Sequence, residues 1–308
     1  MNVQASEIAG AQRAHATWRD YYELGKPRIV LLIVFTAMVG MFLAVPGVVP
    51  LQQFIAGTIG IGLAASCAAA INQLLDRRAD AVMFRTRRRP LPQHHVTERQ
   101  VIVYALTQCV LSMVILLVFV NWLTAALTFV SMIGYAVVYT GFLKRASPQN
   151  IVIGGLAGAA PPVCGWAAVT DQVSAGALLL CLIIFLWTPP HFWALAIHRR
   201  EDYAKANVPM LPVTHGVPYT VLQINLYTVL LVMATVLPYL IGMSGLVYLA
   251  GVLILGGIFL VYTLGLHFSR NPSLPMRTFA YSIVYLTALF ILLLVDHYAL
   301  LIFPSLRV

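Results

Sequence analysis

The sequence predicts an all-α integral membrane protein with nine transmembrane helices. Of its 308 residues, 60% are hydrophobic and only 9% are charged, which is far more apolar than a soluble domain. Stretches of about 20 apolar residues can cross the hydrocarbon as helices, and nine such stretches follow one another along the chain. A transmembrane β-barrel would show short alternating segments instead.

The nine apolar stretches define a single transmembrane domain over residues 28–303. They cover residues 28–46, 51–75, 99–120, 123–143, 151–170, 175–197, 219–243, 245–268 and 278–303. A polar arm, residues 1–27, precedes them and lacks the apolar core and cleavage site of a signal peptide. A short tail, residues 304–308, follows them and is expected in the periplasm.

The positive charges lie on one side of this nine-helix layout. All Lys and Arg residues except Arg307 precede or open the first stretch, or follow the second, fourth, sixth or eighth. Because cytoplasmic loops are rich in Lys and Arg, we expect the N-terminus and these connections in the cytoplasm, below a bacterial inner membrane. The net charge of +9 therefore reflects topology, and no nucleic-acid partner is expected.

The most polar stretch is NQLLDRRADAVMFRTRRRPLP, residues 72–92. If the second helix continues to Asp80, then Asn72, Asp76 and Asp80 step by about 400° each and share one face over roughly 12 Å. Carboxylate and amide oxygens suit a hard ion such as Mg²⁺, which completes its shell with water and substrate phosphates. This face therefore predicts a metal site for a polyanionic substrate.

A second acidic cluster, Glu201 and Asp202, follows the sixth stretch in HRREDYAKANVPMLPVTHG, residues 198–216. Acidic clusters thus recur four helices apart, which indicates a four-helix block used twice, with a ninth helix added. Such a pseudo-repeat would place both clusters at equivalent ends, facing each other across a central cavity. Several cations accompany them and would suit a diphosphate bridged by metal: Arg85, Arg89, Lys144, Arg145 and Lys205.

A plainer interpretation of these charges stays open. Cations beside membrane helices commonly serve as topology anchors, which would account for Arg77, Arg78, Arg87 and Arg88 without any site. The orientation rule gives Asp76 and Asp80 no role, and a carboxylate near the membrane is costly unless it is paired or hydrated. Salt bridges from the two acidic residues to Arg77 or Arg78 are the structural alternative.

The motif Asn72, Asp76 and Asp80, followed by M-x-R-T-x-x-R-P-L-P from Met83 to Pro92, resembles the first signature of the UbiA-type intramembrane prenyltransferases. Within that superfamily the chain most resembles the heme farnesyltransferases. Three further stretches are similar: YTGFLKRASPQNIVIGGLAGAAPPVCGW (139–166), WTPPHFWALAI (187–197) and EDYAKANVPMLP (201–212). The resemblance covers the chain from Lys26 to about Gly216, and the last three helices only generally.

Two positions depart from the family pattern. The second motif is often D-x-x-x-D, whereas His198 stands four residues before Asp202 here. The sequence QHH, residues 93–95, replaces the Gly that usually follows R-P-L-P, which we interpret as loop variation. The first departure leaves the metal ligands of the second cluster open, and Glu201 is the residue that would compensate.

The resemblance implies an Mg²⁺-dependent enzyme that transfers a farnesyl group from farnesyl diphosphate to a vinyl group of protoheme IX, giving heme O. Heme would then be a substrate rather than a cofactor, and a downstream heme A synthase or terminal oxidase assembly would receive the product. The implied catalytic residues are Asn72, Asp76, Asp80, Arg85, Arg89, Lys144, Arg145, Glu201 and Asp202; of these, Asn72, Asp76, Asp80, Glu201 and Asp202 are the candidate metal ligands. The candidate substrate-binding residues are Tyr139, His191, Trp193, His198, Tyr203 and Lys205.

Other functions remain compatible with the sequence. A UbiA-type enzyme with an aromatic or chlorin acceptor would share the same diphosphate site. A heme or lipid carrier could also use nine helices, but its ionisable residues would be expected near the bilayer midplane rather than at one end. His191 and His198 could approach heme iron or its propionates, although a histidine near an interface is more often simply hydrogen-bonded.

Overall fold

A computed structural model of the chain describes residues 16–269 and 271–302, and within those ranges the structure is helical and contains no strand. The helices are α1 (Trp18–Leu24), α2 (Pro27–Leu43), α3 (Leu51–Val82), α4 (Glu98–Phe119), α5 (Trp122–Ile133), α6 (Asn150–Ala159), α7 (Pro161–Thr170), α8 (Ala175–His198), α9 (Arg200–Lys205), α10 (Leu211–Thr214), α11 (Gly216–Leu240), α12 (Leu246–Phe268) and α13 (Leu274–Ile302). A π-helix, Gly134–Leu143, and a turn, Lys144–Ala146, continue α5. Arg13, Arg270, Arg307 and the tail lie outside the described residues.

Eight helical segments in the described part are long and apolar enough to cross a membrane. They are α3, α4, α5 with its π continuation, α6 with α7, α8, α11, α12 and α13. Helices α1 and α2 meet at an angle of 51° and make a ninth span when they are taken together. The predicted all-α membrane architecture is confirmed, with the first span bent between α1 and α2.

The end of the polar arm is ordered as helix α1. Thr17 and Asp20 form a capping box at its start, and Asp20 also contacts Nδ1 of His95 at 3.0 Å. His95 belongs to the QHH stretch that replaces the Gly usual in the family. Its contact with Asp20 therefore ties the loop after α3 to the N-terminal helix. Lys26 then adopts a left-handed backbone (φ 48°), and Pro27 begins α2, a position where proline's fixed φ and missing N–H are tolerated.

Helix α3 is 32 residues long, or about 48 Å at the usual rise. This length exceeds the hydrocarbon core, which is about 30 Å thick. The helix does continue past the apolar stretch to Asp80, which was the condition for the predicted shared face, so its final turns project beyond the segment that the apolar composition alone defines. Those turns hold the polar motif.

The fifth span is divided at Ala160, because Pro161 cannot continue the backbone hydrogen bonding of α6. Its two halves have different neighbours: α6 packs on α8 and the π-helix, while α7 packs on α2. A Cβ at Gly165 would overlap the carbonyl of Ala37, and one at Gly40 would overlap the backbone of Pro162. These glycines allow α2 and α7 to approach closely.

The later helices form the larger apolar core. Helix α8 packs against α6, α11 and α13, and α12 packs against α11 and α13. Fully buried aromatic rings fill the space between α12 and α13, among them Phe259, Tyr285 and Phe290. At the far end of this group, Asp296 accepts the backbone N–H groups of Gly245 (2.6 Å) and Tyr248 (3.1 Å), which caps α12. Asp296 thus has a structural role.

Candidate active site

The three residues of the first motif lie along the last turns of α3, and all three side chains are buried. Asn72 donates from Nδ2 to Oδ2 of Asp76 (3.1 Å) and to Oγ1 of Thr140 (3.1 Å). The spacing of four residues that placed them on one face in the sequence therefore brings at least the first two into direct contact. The buried amide orients the first carboxylate.

Each residue of the motif is also bonded to a cation from a different part of the chain. Lys26 donates to Oδ1 of Asn72 at 2.5 Å, and Lys144 donates to Oδ2 of Asp76 at 2.5 Å. Arg89 donates to Oδ2 of Asp80 at 2.6 Å. Buried carboxylates require such partners, since an unpaired buried charge is strongly destabilising. The result is an anionic strip of helix surrounded by three cations.

Lys26 is the member of this site that the sequence did not predict. It lies in the break between α1 and α2, and sequence spacing counted it only as an orientation charge. It is half-buried, and it interacts electrostatically with the cations Arg89 and Lys144 and with the carboxylates of Asp80 and Asp76. The only sequence signal was that the family resemblance begins at Lys26 itself.

The π-helix positions the residues that face α3 from α5. Oγ1 of Thr140 accepts a hydrogen bond from the Asn72 amide and donates one to the backbone carbonyl of Tyr135 (2.9 Å), five residues back in the π-helix. Tyr139 stacks on Tyr135 with ring centroids 5.7 Å apart, and a Cβ at Gly154 of α6 would overlap its ring. Irregular helix of this kind is frequent at functional sites.

The turn after the π-helix separates two adjacent cations. Lys144 is half-buried and bonded to Asp76, and Nδ2 of Asn150 donates to its backbone carbonyl at 3.1 Å. Arg145 is exposed and lies 3.4 Å from the carbonyl of Leu75. The structure therefore brings Lys144, but not the Arg145 side chain, into the buried network.

The loop after α3 folds back on the end of the helix. Thr86 donates to the backbone carbonyl of Asp80 at 3.1 Å, and Arg89 binds that residue's carboxylate. Arg87 lies over the ring of Phe84, 4.7 Å from its centroid. Arg85 and Arg88 are exposed. Of the arginine cluster, then, Arg89 is the residue held in the site.

The second acidic cluster is arranged differently. Glu201 is exposed, and Asp202 is half-buried, with its nearest ion-pair contact to Arg199 at 3.8 Å. Tyr203 is buried and interacts electrostatically with an acid of each cluster. Burial raises its pKa, Asp202 and Asp76 add to the increase, and Arg85 and Arg199 oppose it. His198 and Lys205 are both exposed.

The donor atoms of the first cluster fit a hard cation. The buried Oδ1 of Asp76 has no hydrogen-bond partner among the described residues, while its other oxygen is bonded to Lys144 and Asn72. One or two carboxylates with water and phosphate oxygens are the usual shell of Mg²⁺. Across residues 16–269 and 271–302, however, no three His, Cys, Asp or Glu side chains are close enough to hold a metal by themselves. Oxygens from another source would have to complete the shell.

The aromatic candidates on α8 have separate environments. His191 is buried between the rings of Trp187 (4.2 Å) and Phe279 (4.5 Å), and its Nδ1 is bonded to Oγ of Ser282 at 2.7 Å. Trp193 is fully buried in the cluster that includes Tyr203. Its ring has no face open to a substrate in this structure, because packing covers it completely.

Comparison with known proteins identifies the family of the chain. The UbiA prenyltransferase family matches residues 33–300. The protoheme IX farnesyltransferase of Methylococcus capsulatus is 58% identical over 293 residues, which are 95% of this chain and 98% of that protein. The protoheme IX farnesyltransferase of Legionella pneumophila (strain Lens) is 56% identical over 288 residues, 94% of this chain and 98% of that protein.

Solved structures share the fold at much lower identity. A structure of digeranylgeranylglyceryl phosphate synthase superposes with a TM-score of 0.76 at 17% identity, covering 91% of this chain and 98% of that one. A UbiA homologue from Archaeoglobus fulgidus, bound to GPP and Mg²⁺, superposes with a TM-score of 0.61 at 16% identity, covering 89% and 99%. With the family match over most of its length and relatives at this identity, the chain belongs to the UbiA prenyltransferase family, in the group of the protoheme IX farnesyltransferases.

Proposed function

We propose that the protein transfers the farnesyl group of farnesyl diphosphate to a vinyl group of protoheme IX, with addition of water, giving heme O and diphosphate. The observation that supports this most directly is the convergence of Lys26, Arg89 and Lys144 on the acidic face of α3. The relatives named for this activity, which align with nearly the whole chain, support heme as the acceptor.

The cations of the site act on the leaving group. Diphosphate gains negative charge as the bond from C1 of farnesyl to oxygen breaks, and preorganised cations stabilise that charge in the transition state. Lys144 and Lys26 are placed to exchange part of their contact with the motif for phosphate oxygens, while Arg89 keeps Asp80 in position. Exposed Arg85, Arg145 and Lys205 would add to the positive potential around the entering diphosphate.

The metal ligands in this proposal come from both clusters. Asn72, Asp76 and Asp80 would hold Mg²⁺ from α3, and Glu201 and Asp202 from α9. Bound there, Mg²⁺ supplies Lewis-acid stabilisation of the diphosphate oxygens. The unpartnered Oδ1 of Asp76 supports the first half of this ligand set. Phosphate oxygens would complete the shell, in agreement with a site that needs its substrate to bind metal.

The acceptor reacts as a π nucleophile. Loss of diphosphate leaves an allylic cation at C1, which the vinyl π electrons attack to form a new carbon–carbon bond. The positive charge then lies on the side-chain carbon beside the pyrrole, where the ring delocalises it. Water adds to that carbon and releases one proton, so the product gains a hydroxyl group and no oxidant is needed.

The substrate contacts assigned to aromatic and basic side chains are part of the same proposal. Tyr139 of the π-helix and buried Tyr203 of α9 would contact the substrate beside the charged site. His191 has one ring nitrogen bonded to Ser282, which leaves Nε2 as the atom for a heme propionate or iron; exposed His198 is the alternative. Trp193 contributes by packing behind Tyr203.

The protein is a multi-pass membrane protein, and we place it in the bacterial inner membrane. The N-terminus and the two connections with acidic clusters would face the cytoplasm, because the Lys and Arg residues lie on that side of the helix order. Product would pass to a heme A synthase or to terminal oxidase assembly in the same membrane.

The test is a reaction with purified protein, heme b, farnesyl diphosphate and Mg²⁺ in heavy-oxygen water. We expect a prenylated heme that contains one labelled oxygen by mass spectrometry, and loss of product when a chelator removes the metal. Unlabelled hydroxyl would contradict water capture of the cation. Prenylation of a phenolic acid in place of heme would contradict the acceptor, and no diphosphate release with any acceptor would favour a carrier.

A further inference from the structure

A groove of about 310 Å³ lies between α1 and the beginning of α4, away from the acidic motifs. Tyr21 of α1 forms one wall, and Arg99, Val103, Tyr104 and Thr107 of α4 form the other. None of these residues belongs to the site described above. The groove is therefore a separate feature.

The walls of the groove are fixed by specific contacts. The hydroxyl groups of Tyr104 and Ser66 are hydrogen-bonded at 2.8 Å, and the rings of Tyr104 and Tyr21 are 5.8 Å apart. Gln73 donates to the backbone carbonyls of Glu23 and Leu24. These bonds hold α1 against α3 and keep the two tyrosines facing the groove.

Arg99 is a cation at the groove without an ion-pair partner in the described part of the chain. The neighbouring acid, Glu98, is bonded to Arg77 at 2.7 Å. Of the two acids on α1, Asp20 is engaged by Thr17 and His95, and Glu23 forms no ion pair with Arg99. None of these three carboxylates therefore neutralises Arg99, and its charge is available to a ligand.

The groove also changes from polar to apolar along α4. From Arg99 to Thr107 the helix advances about 12 Å, starting at the end of a membrane span and entering its apolar length. Val103 is 56% exposed on this face. On α1, Trp18 (72% exposed) and Tyr22 (59% exposed) point outward, as aromatic side chains do at a membrane surface.

We propose that this groove binds the headgroup of an anionic phospholipid, with the phosphate at Arg99 and the first part of an acyl chain along Val103 and Thr107. A volume near the lower end of ligand sites, which span roughly 300–1,000 Å³, suits a headgroup and glycerol better than a whole lipid. The lipid would brace α1, and with it the segment that leads to Lys26.

The experiment is native mass spectrometry of the full-length protein titrated with phosphatidylglycerol or with phosphatidylcholine of the same chains. Wild type should hold one phosphatidylglycerol in preference to phosphatidylcholine. Arg99→Gln should weaken phosphatidylglycerol binding about fivefold, the effect of one basic residue at a membrane surface, and leave phosphatidylcholine binding unchanged. Val103→Trp, which fills the groove without changing charge, should weaken phosphatidylglycerol binding as well.

Arg78→Gln is the matched control, because Arg78 is an exposed cation at the end of α3 outside the groove. Equal weakening by Arg78→Gln and Arg99→Gln would show diffuse surface charge and overturn the proposal. Unchanged binding in Arg99→Gln would overturn it too, as would competition by free glycerol phosphate at the lipid's own concentration. Because the measurement is lipid binding, its result tests the groove separately from the proposed farnesyl transfer.

Discussion

The two acidic clusters occupy equivalent ends of the second and sixth spans, yet they are built in opposite ways. At the end of α3, Asp76 and Asp80 are 3% and 4% exposed, and each is bonded to a cation at 2.5 or 2.6 Å. After α8, Glu201 is exposed and Asp202 has only a loose contact at 3.8 Å. The first cluster lies in a long continuous helix, and the second in a helix of six residues.

This difference indicates two different roles in binding a charged substrate. A buried network has its donors and acceptors in place before the reaction, which reduces the reorganisation that the transition state requires. A short exposed helix retains conformational freedom in the unbound protein, and it loses that freedom when a bound ligand supplies the missing contacts. We therefore expect the first cluster to determine turnover and the second to determine how readily metal and diphosphate are captured.

The largest effect should come from the buried carboxylates. Asp76→Asn or Asp80→Asn should lower the turnover of heme farnesylation at least about 100-fold, because each carboxylate acts on charge that develops in the transition state. Expression and membrane insertion should be unchanged. Asp171→Asn, at an exposed turn after α7, is the control. Turnover near that of wild type in either variant would remove the first cluster from the mechanism.

A smaller loss of activity should follow removal of Lys144, and it should exceed the loss on removal of its neighbour Arg145. Lys144→Met should reduce kcat/KM roughly 30-fold, since the ammonium group contacts the buried carboxylate and is placed to meet the leaving group. Arg145→Met should reduce it less than about threefold, because an exposed charge in water contributes little. Steady-state kinetics of both variants is the measurement. Equal losses would mean that the turn contributes only bulk positive charge.

The smallest effect should appear at the second cluster, in the metal requirement. Asp202→Asn should raise the Mg²⁺ concentration for half-maximal rate by about tenfold, with less change in the rate at saturating metal, because loss of a ligand weakens capture more than chemistry. Glu201→Gln, at the exposed position, should change it about twofold. A 100-fold loss of maximal rate in Asp202→Asn would make the two clusters equivalent and contradict the comparison.

The sequence predicted the parts of this structure that depend on the transfer of side chains into lipid. Hydropathy measures the free energy of that transfer, so the limits of α8 and α12 are close to those expected. The repeat of four residues predicted a shared polar face if α3 continued to Asp80, and the helix does continue there. The contact of Lys26 with Asn72 joins residues far apart in the chain, and no local preference records it. The same holds for the bond between Asp20 and His95, where a loop variation became a tertiary contact.

The π-helix determines the direction in which the side chain of Lys144 leaves the membrane span. Because each turn of Gly134–Leu143 closes over one residue more than an α-helical turn, the segment contains a built-in insertion. If a substitution returned these ten residues to an α-helix, each would turn further about the axis of the span. Lys144 would then leave the span at a different angle, and its ammonium group would leave the face of Asp76. A change that alters no charge and little hydrophobicity would therefore disconnect the membrane span from the chemistry at its end.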